Sequence, residues 1–287
     1  MERLNNKPNL FVVGAPKAGT TTLYHVLVQH NDVFCAREKE LHYFSQSHMV
    51  GNYYHTKRIN NIDSYLSNYK NADNKRYIGD FSPSYMYHME ALESIKRFNP
   101  DSKVIIALRN PVMRSLSHYL MDVSKGFQKH ALVEILTNPG KYPDYYYQYI
   151  TLSRYSSYVR GCINVFGKNN VLLLFSEKMR QDPTSEFQNL FSFLNLDNTS
   201  QISLDIKSNK SFVPVFGFLR NVRANKIASN MFQSIPFGLR AHIKNLLTKD
   251  SSDMEDYSEA KKLLEDMLRV EMSIFENALN NSKRNCY

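Results

Sequence analysis

Three short apolar runs, each followed by a segment with helical spacing, dominate the hydrophobic pattern of the chain. Each run has the length of a strand that is buried on both faces of a sheet. The runs are Leu10–Gly14, Val104–Leu108 and Val171–Phe175, and the helical segments are Thr20–His30, about Val112–Val123 and Pro183–Leu194. Strands that alternate with helices are joined by right-handed crossovers. The pattern therefore predicts an α/β fold in which helices flank a parallel β-sheet.

The C-terminal region has a different pattern. Met254–Leu279 carries apolar residues at helical spacing, which predicts one helix or a pair of helices with one face in the core. Residues 220–249 contain six Lys or Arg residues and no acid. Because no linker composition separates these segments from the rest, we predict a single domain over residues 1–287, with residues 220–287 as its helical extension.

The overall charge favours an anionic ligand or partner. The chain has a formal net charge of +9 and a pI of about 9.3, which suits nucleic acid, an anionic membrane, an acidic glycan or a phosphate-rich small molecule. The three cysteines lie far apart and lack the spacing of a zinc site or a disulfide framework. The sequence shows no signal peptide and no apolar stretch long enough to span a membrane. A complete chain of this kind is expected in the cytoplasm.

The first strand leads into a candidate phosphate-binding loop, Gly14–Thr22. A loop between a strand and a helix offers backbone N–H groups and the positive end of the helix dipole to an anion. Two glycines have the spacing of a P-loop, but Lys17 comes two residues before Gly19 rather than directly after it. The loop is therefore suited to holding phosphate without arranging a metal ion. The candidate ligand-binding residues are Pro16, Lys17, Ala18, Gly19, Thr20 and Thr21.

This loop resembles the 5′-phosphosulfate loop of the sulfotransferases that use 3′-phosphoadenosine 5′-phosphosulfate (PAPS), in particular the heparan sulfate and bacterial carbohydrate type. A second segment, Leu108–Tyr119, is similar to the 3′-phosphate motif of that family, in which Arg-Asp/Asn-Pro follows a strand and Arg and Ser follow on a helix. The resemblance implies that Arg109 and Ser117 hold the 3′-phosphate. An arginine at the end of a strand offers a planar fork to phosphate oxygens, which agrees with that role.

Two further segments extend the resemblance. Glu38–Phe44 is similar to the family's Glu-x-His-Phe/Tyr-Phe element, whose glutamate is the usual catalytic base, so the resemblance implies Glu40 as the base and Lys17 as the residue that neutralises the leaving oxygen. His42 is the alternative base, as in the steroid and phenol branch, and an extended segment would place it on the same side as Glu40. Gly79–Tyr85 resembles Gly-Glu-Lys-Ser/Thr-Pro-x-Tyr, which implies substrate contacts from Asp80, Phe81 and Tyr85.

The segment Gly79–Tyr85 departs from the family at Phe81, where several glycan enzymes have a lysine. This departure is evidence against assigning the heparan-like substrates of that family to the chain. The resemblance also implies that Tyr155, Lys210 and Ser211 close over the nucleotide. It implies PAPS as the donor, adenosine 3′,5′-bisphosphate as a product, a carbohydrate or small-molecule alcohol as the acceptor, and no metal.

Two other classes of function stay open at this point. A P-loop nucleotide kinase would have the same opening strand, loop and helix, although the chain lacks the Gly-Lys-Ser/Thr sequence. A basic nucleic-acid-binding protein would fit the pI and the 19 tyrosines, but aromatic and basic residues do not interleave in a known RNA-binding or single-strand motif. We expect no nucleic-acid partner.

Overall fold

A computed structural model describes residues 6–48, 59, 61–197, 202–204, 212–214, 248–250 and 257–281. The chain forms two compact units. The first consists of Met1–Pro111, Arg154–Lys207 and Val270–Tyr287, and the second of Val112–Ser153 and Ser208–Arg269. The single domain over residues 1–287 stays a prediction.

A parallel sheet forms the centre of the first unit. Its strands, in the order β2-β3-β1-β4-β5 across the sheet, are all parallel. The strands are β1 (Leu10–Gly14), β2 (Val33–Cys35), β3 (Tyr77–Phe81), β4 (Lys103–Leu108) and β5 (Val171–Phe175). The chain leaves β1 toward one edge and returns to build the other, so the order of connections reverses at β1. A ligand site in such a sheet lies at the carboxyl ends of the strands beside this reversal.

Helices follow the strands, as the alternating pattern predicts. They are α1 (Thr20–Leu27), α2 (Ile62–Leu66), α3 (Met89–Phe98), α4 (Pro111–Lys125), α5 (Leu132–Thr137), α6 (Pro143–Tyr149), α7 (Tyr155–Phe166), α8 (Ser176–Gln181), α9 (Pro183–Leu194), α10 (Ser258–Met267) and α11 (Arg269–Asn280). Short 3₁₀ turns lie at Ser67–Tyr69, Tyr85–Tyr87, Thr151–Ser153 and Lys168–Asn170. The fold class is confirmed. No helix within the described ranges is both long enough and apolar enough to cross a membrane.

The predicted element bounds are close to the observed ones, with physical reasons for the differences. Helix α1 ends at Leu27 rather than His30, because the His30 ring accepts the N–H of Asp32 and contacts the Asp197 carbonyl, which draws the chain out of the helix. Strands β2 and β3 were not predicted. The first is three residues long, and the second contains Gly79 and Asp80, which are disfavoured in strands.

The second unit contains most of α4 together with α5, α6 and α10, and a two-stranded antiparallel ladder. Strand β6 (Phe212–Pro214) pairs with β7 (Thr248–Asp250), and Phe212 lies opposite Asp250. Residues 248–250 are therefore a strand, while the helical extension over residues 220–287 as a whole stays a prediction. A Thr-Lys-Asp strand has no apolar alternation and forms only through its long-range partner, so its own sequence carries no strand signal.

The amphipathic C-terminal stripe forms two helices, α10 and α11, separated at Leu268. Leu264 and Leu268 are buried in the stripe, as predicted. Phe275 of α11 packs in the first unit, where its ring centroid lies 5.6 Å from that of Phe175 on β5. The buried residues of the stripe therefore contribute to the core, as the helical spacing predicts.

Candidate active site

The loop between β1 and α1 is built by two glycines in positions that a side chain would disturb. A Cβ at Gly14 would overlap the sulfur of Met86, and Gly19 caps α1 with a φ of 94°, in the left-handed region. The N–H of Ala15 donates to the carbonyl oxygen of Ala107 on β4 at 2.7 Å. The loop is therefore held against the sheet, with Pro16 and Ala18 buried and Lys17, Gly19, Thr20 and Thr21 partly exposed.

The first turn of α1 is suited to an anion. Gly19 has no side chain to cap the helix, and the first turn contains no acidic residue. The N–H groups at the start of a helix have no intrahelical acceptors and carry partial positive charge. The positive end of α1 thus lies at the carboxyl edge of the sheet, where the sequence predicted a phosphate.

Lys39 brings a second cation to this loop. Its Nζ donates to Thr21 Oγ1 at 2.9 Å and lies 5.4 Å from the ring centroid of Tyr24. Partial burial lowers the pKa of Lys39, and the neighbouring Glu40 carboxylate acts in the opposite direction. Sequence reasoning assigned no role to Lys39. Its position directly before the candidate base was the available signal.

Arg109 follows β4 and reaches the same loop. Its Nη1 donates to the carbonyl oxygen of Lys17 at 3.4 Å, a long contact. Burial and the nearby Arg180 guanidinium lower the pKa of Arg109, and Glu177 and Tyr155 oppose that change. The buried Arg109 Nε has no hydrogen-bond acceptor within the described part of the chain. A buried donor of this kind fits an anionic ligand.

Glu177 fixes the turn that carries Arg109. Its Oε1 accepts the backbone N–H of Asn110 at 3.1 Å, and its carboxylate lies 3.6 Å from Arg180. Tyr155, the first residue of α7, is fully buried and close enough to Arg109 to act on its pKa. These contacts place the predicted nucleotide residue Tyr155 beside Arg109.

The remaining nucleotide-binding predictions have different outcomes. Ser117 is a partly buried residue of α4 and belongs to the second unit, whereas Arg109 belongs to the first. Lys210 and Ser211 lie outside the described residues. Their roles stay predictions.

The second arginine of the 3′-phosphate motif, Arg114, is an internal residue of the second unit. Its fully buried guanidinium donates to the carbonyl oxygen of Gln148, to Ser153 Oγ at 3.3 Å and to His118 Nδ1 at 2.8 Å. Since arginine only donates, His118 Nδ1 must accept, and the ring proton is on Nε2, 3.9 Å from Asp122 Oδ2. One face of α4 thus carries a buried series of polar side chains.

Glu40 and His42 lie together after β2, though not in the way the sequence suggested. The segment is not extended, because both residues have positive φ values, 61° and 52°. The two left-handed residues turn the chain so that Glu40 Oε2 still lies 3.8 Å from His42 Nε2. The Glu40 side chain is 45% exposed and that of His42 is fully buried. A ligand can therefore reach Glu40 directly.

Three buried serines hold His42 in place, and one of them, Ser84, contacts the ring. Ser84 Oγ lies 2.6 Å from His42 Nδ1 and also 2.6 Å from Ser45 Oγ. The backbone N–H of His42 donates to Ser82 Oγ at 3.0 Å. These buried contacts fix the ring so that Nε2 is the nitrogen that faces Glu40.

The three predicted substrate residues lie in the core. Asp80 is 1% exposed and accepts hydrogen bonds from Ser82, Tyr65 and Tyr85 at 2.6, 2.7 and 2.9 Å. Burial raises the pKa of Asp80, and these three hydrogen bonds oppose the change. Phe81 is buried against the ring of Tyr24, and its carbonyl oxygen accepts the N–H of Glu40 at 2.9 Å. This burial favours a supporting role for Asp80, Phe81 and Tyr85 over direct contact with an acceptor.

A family model agrees with this arrangement over most of the chain. The model that describes the sulfotransferase domain matches residues 7–235, which include the loop, Glu40 and Arg109. The chain belongs to the sulfotransferase domain family. Membership of this family implies PAPS as the donor.

The sulfotransferases that the chain resembles come from animals, an amoeba and a bacterium. It is 27% identical over 191 residues to heparan sulfate glucosamine 3-O-sulfotransferase 6 of Homo sapiens, which covers 66% of this chain and 52% of that protein. It is 31% identical over 112 residues to the membrane-associated sulfotransferase kil1 of Dictyostelium discoideum, covering 39% of this chain and 22% of that protein. The chain spans about half the length of the first curated relatives it matches.

A solved sulfotransferase shares the fold. The crystal structure of the enzyme from Alicyclobacillus acidocaldarius superposes with a TM-score of 0.63 at 25% sequence identity, covering 71% of this chain and 87% of that one.

Membership of the sulfotransferase family also explains why the lysine of the loop does not stand where a kinase has it. The acid on β3, Asp80, has its oxygens occupied by hydroxyl donors, which leaves it poorly placed to hold magnesium.

Proposed function

We propose that the protein transfers the sulfuryl group of PAPS to a hydroxyl group of a carbohydrate or a small-molecule alcohol. One observation supports this most strongly, the meeting of three groups at the carboxyl edge around β1. The loop that contains Lys17 contacts Arg109 after β4, and Glu40 is tied to the end of β3 through the Phe81 carbonyl. A donor with two separated anionic groups needs this combination of two cationic sites and a base.

The loop and Arg109 would hold the two ends of the donor. The start of α1 and Lys17 suit the 5′-phosphosulfate, and Arg109 with Tyr155 beside it suits the 3′-phosphate. The buried Arg109 Nε supports this fit, because it still has hydrogen-bonding capacity to offer to a phosphate oxygen.

PAPS supplies a sulfuryl group whose sulfur gains a bond to the acceptor oxygen as its bond to the phosphate oxygen breaks. Glu40 accepts the proton that the acceptor hydroxyl loses, and Lys17 neutralises the charge that builds on the leaving phosphate oxygen. No metal ion is needed by this scheme.

We assign the base to Glu40 rather than His42 because of their different exposure. The Glu40 carboxylate is 45% exposed, whereas the His42 ring is fully buried behind it. His42, held by Ser84, would orient the Glu40 carboxylate from 3.8 Å. An acceptor hydroxyl therefore meets the glutamate first.

The acceptor presents a hydroxyl group to Glu40. Similarity to heparan sulfate sulfotransferases supports a carbohydrate, while the absence of the family's lysine at position 81 removes one reason to expect an acceptor as acidic as heparan sulfate. Both carbohydrate and small alcohol acceptors present the hydroxyl group that Glu40 requires.

A ligand panel tests the proposal. We expect adenosine 3′,5′-bisphosphate to raise the melting temperature of the protein, and ATP with magnesium to have a much smaller effect. PAPS labelled with ³⁵S should then transfer label to a panel of oligosaccharides, phenols and alcohols. Stabilisation by ATP with magnesium alone would favour a kinase. Tight binding of mixed oligonucleotides without competition by the bisphosphate would favour a nucleic-acid-binding protein.

A further inference from the structure

Lys39 connects the segment of the candidate base to the phosphate-binding loop. Its backbone directly precedes Glu40, which is anchored to Phe81, and its side chain runs back to α1, where Nζ donates to Thr21 Oγ1 at 2.9 Å. Thr21 is the second residue of that helix, in the turn whose N–H groups are available to an anion.

The surroundings of Lys39 balance its positive charge only in part. The neighbouring Glu40 carboxylate favours the charged form, but the hydrogen-bond partner of Nζ, the Thr21 hydroxyl, is neutral, and an ammonium group has three donors. The face of the Tyr24 ring supports the charge from 5.4 Å. Half-burying a lysine beside a neutral hydroxyl costs free energy that an anion at the same place would recover. The lowered pKa of Lys39 reflects that burial.

The position of Lys39 specifies which part of the donor it can reach. A base that takes the proton of the acceptor hydroxyl lies on the acceptor side of sulfur, and the first turn of α1 lies on the phosphate side. A side chain that starts beside Glu40 and ends at Thr21 therefore spans the place where the sulfuryl group is transferred.

We propose that Lys39 is a catalytic residue that contacts the non-bridging oxygens of the sulfuryl group, as a second cation beside Lys17. This inference rests on the proposed function. In this arrangement Lys17 acts on the bridging oxygen that leaves with the phosphate. Lys39 stabilises negative charge on the non-bridging oxygens of the sulfuryl group while it is transferred. The two lysines therefore have separable effects, because the product adenosine 3′,5′-bisphosphate retains the phosphate and lacks the sulfuryl group.

The test compares Lys39→Met and Lys39→Arg with the control Lys75→Met. Lys75 Nζ donates to the carbonyl oxygen of Asn31, and both residues precede their strands, at the amino edge of the sheet opposite the site. Affinities for PAPS and for adenosine 3′,5′-bisphosphate are measured by calorimetry, and PAPS consumption is followed with the panel acceptor that is most active with the wild type. Melting curves of all variants report folding.

We expect Lys39→Met to bind the bisphosphate within about two-fold of the wild type, to bind PAPS on the order of 10-fold more weakly and to lose roughly 100-fold in turnover. Lys39→Arg should recover part of the turnover, and Lys75→Met should match the wild type. Turnover of Lys39→Met within three-fold of the wild type would overturn the inference, as would equal weakening of PAPS and bisphosphate binding. A wild-type protein that binds neither nucleotide would instead contradict the proposed function.

Discussion

Replacing the buried Arg114 by methionine should destabilise the protein strongly without removing a nucleotide ligand. The guanidinium is fully buried and donates to three acceptors, the Gln148 carbonyl, Ser153 Oγ and His118 Nδ1. Methionine has a similar length but no donor, so the variant leaves at least two buried acceptors without their hydrogen bonds. Each unsatisfied buried group costs about 1–3 kcal/mol, so two such groups cost about 2–6 kcal/mol. We therefore expect a loss of about 4 kcal/mol in unfolding free energy.

A matched arginine on the surface provides the control. Arg97 is 70% exposed and lies 3.7 Å from Glu93 one helical turn away, so Arg97→Met should change the unfolding free energy by less than about 0.5 kcal/mol. Urea denaturation followed by far-ultraviolet circular dichroism measures both variants, and the melting temperature of Arg114→Met should fall on the order of 10 °C.

Two results would contradict a purely structural role for Arg114. If Arg114→Met and Arg97→Met unfold at the same urea concentration, the buried hydrogen bonds of Arg114 contribute no net stability. If Arg114→Met stays folded at low temperature but no longer binds adenosine 3′,5′-bisphosphate, Arg114 is a nucleotide ligand and its internal contacts are secondary. We expect the folded variant to bind the bisphosphate as the wild type does.

Four further predictions follow, three from the candidate site and one from the buried cysteines. Lys17→Ala should reduce turnover on the order of 100-fold to 1000-fold, because one donor at the leaving oxygen supplies about 3–4 kcal/mol. Glu40→Gln should reduce turnover by about 100-fold with donor affinity retained, as measured by steady-state kinetics and calorimetry. Arg109→Ala should weaken bisphosphate binding at least about 10-fold while leaving 5′-phosphosulfate compounds without the 3′-phosphate unaffected. Cys35 and Cys162, whose pKa values burial raises to about 12, should react slowly with a thiol reagent in the native protein.

For each of these four predictions, one experimental result would contradict it. A Lys17→Ala enzyme within a few-fold of wild-type turnover would remove Lys17 from the site. An active Glu40→Gln variant beside an inactive His42→Asn variant would make the histidine the base. Unchanged bisphosphate affinity in Arg109→Ala would move the 3′-phosphate elsewhere, and rapid labelling of Cys35 in the folded protein would contradict its burial.

The sequence predicted those parts of the fold that bury long apolar runs. Strands β1, β4 and β5 are continuous in Leu, Ile, Val and Phe, and the loop after β1 is marked by its own glycines and lysine. Strand β3 was not predicted because its apolar run is broken by Gly79 and Asp80, and the buried Asp80 carboxylate depends on hydroxyl donors that include Tyr65, fifteen residues earlier. Pattern reading detects local periodicity and has no access to such partners.

The candidate site also contains features that the local sequence marks and features that it does not. Motifs in the sequence predicted site roles for Lys17, Glu40 and Arg109. The left-handed turn that brings His42 back to Glu40, and the reach of Lys39 to Thr21, depend on backbone angles and on packing across the sheet. Arg114 stands in the 3′-phosphate motif and is an internal donor in the structure, a position that the motif alone does not show.

The hydrogen bond from Glu40 to Phe81 uses only main-chain atoms, the N–H of one residue and the carbonyl oxygen of the other. The position of the candidate base is therefore set by the main chain at position 81 and not by a side-chain contact. The Phe81 side chain is buried against the ring of Tyr24, so a residue that replaces it must fill the same space for β3 to keep its course. Apolar residues of similar volume are thus expected at position 81 in any variant that retains the anchor of the glutamate.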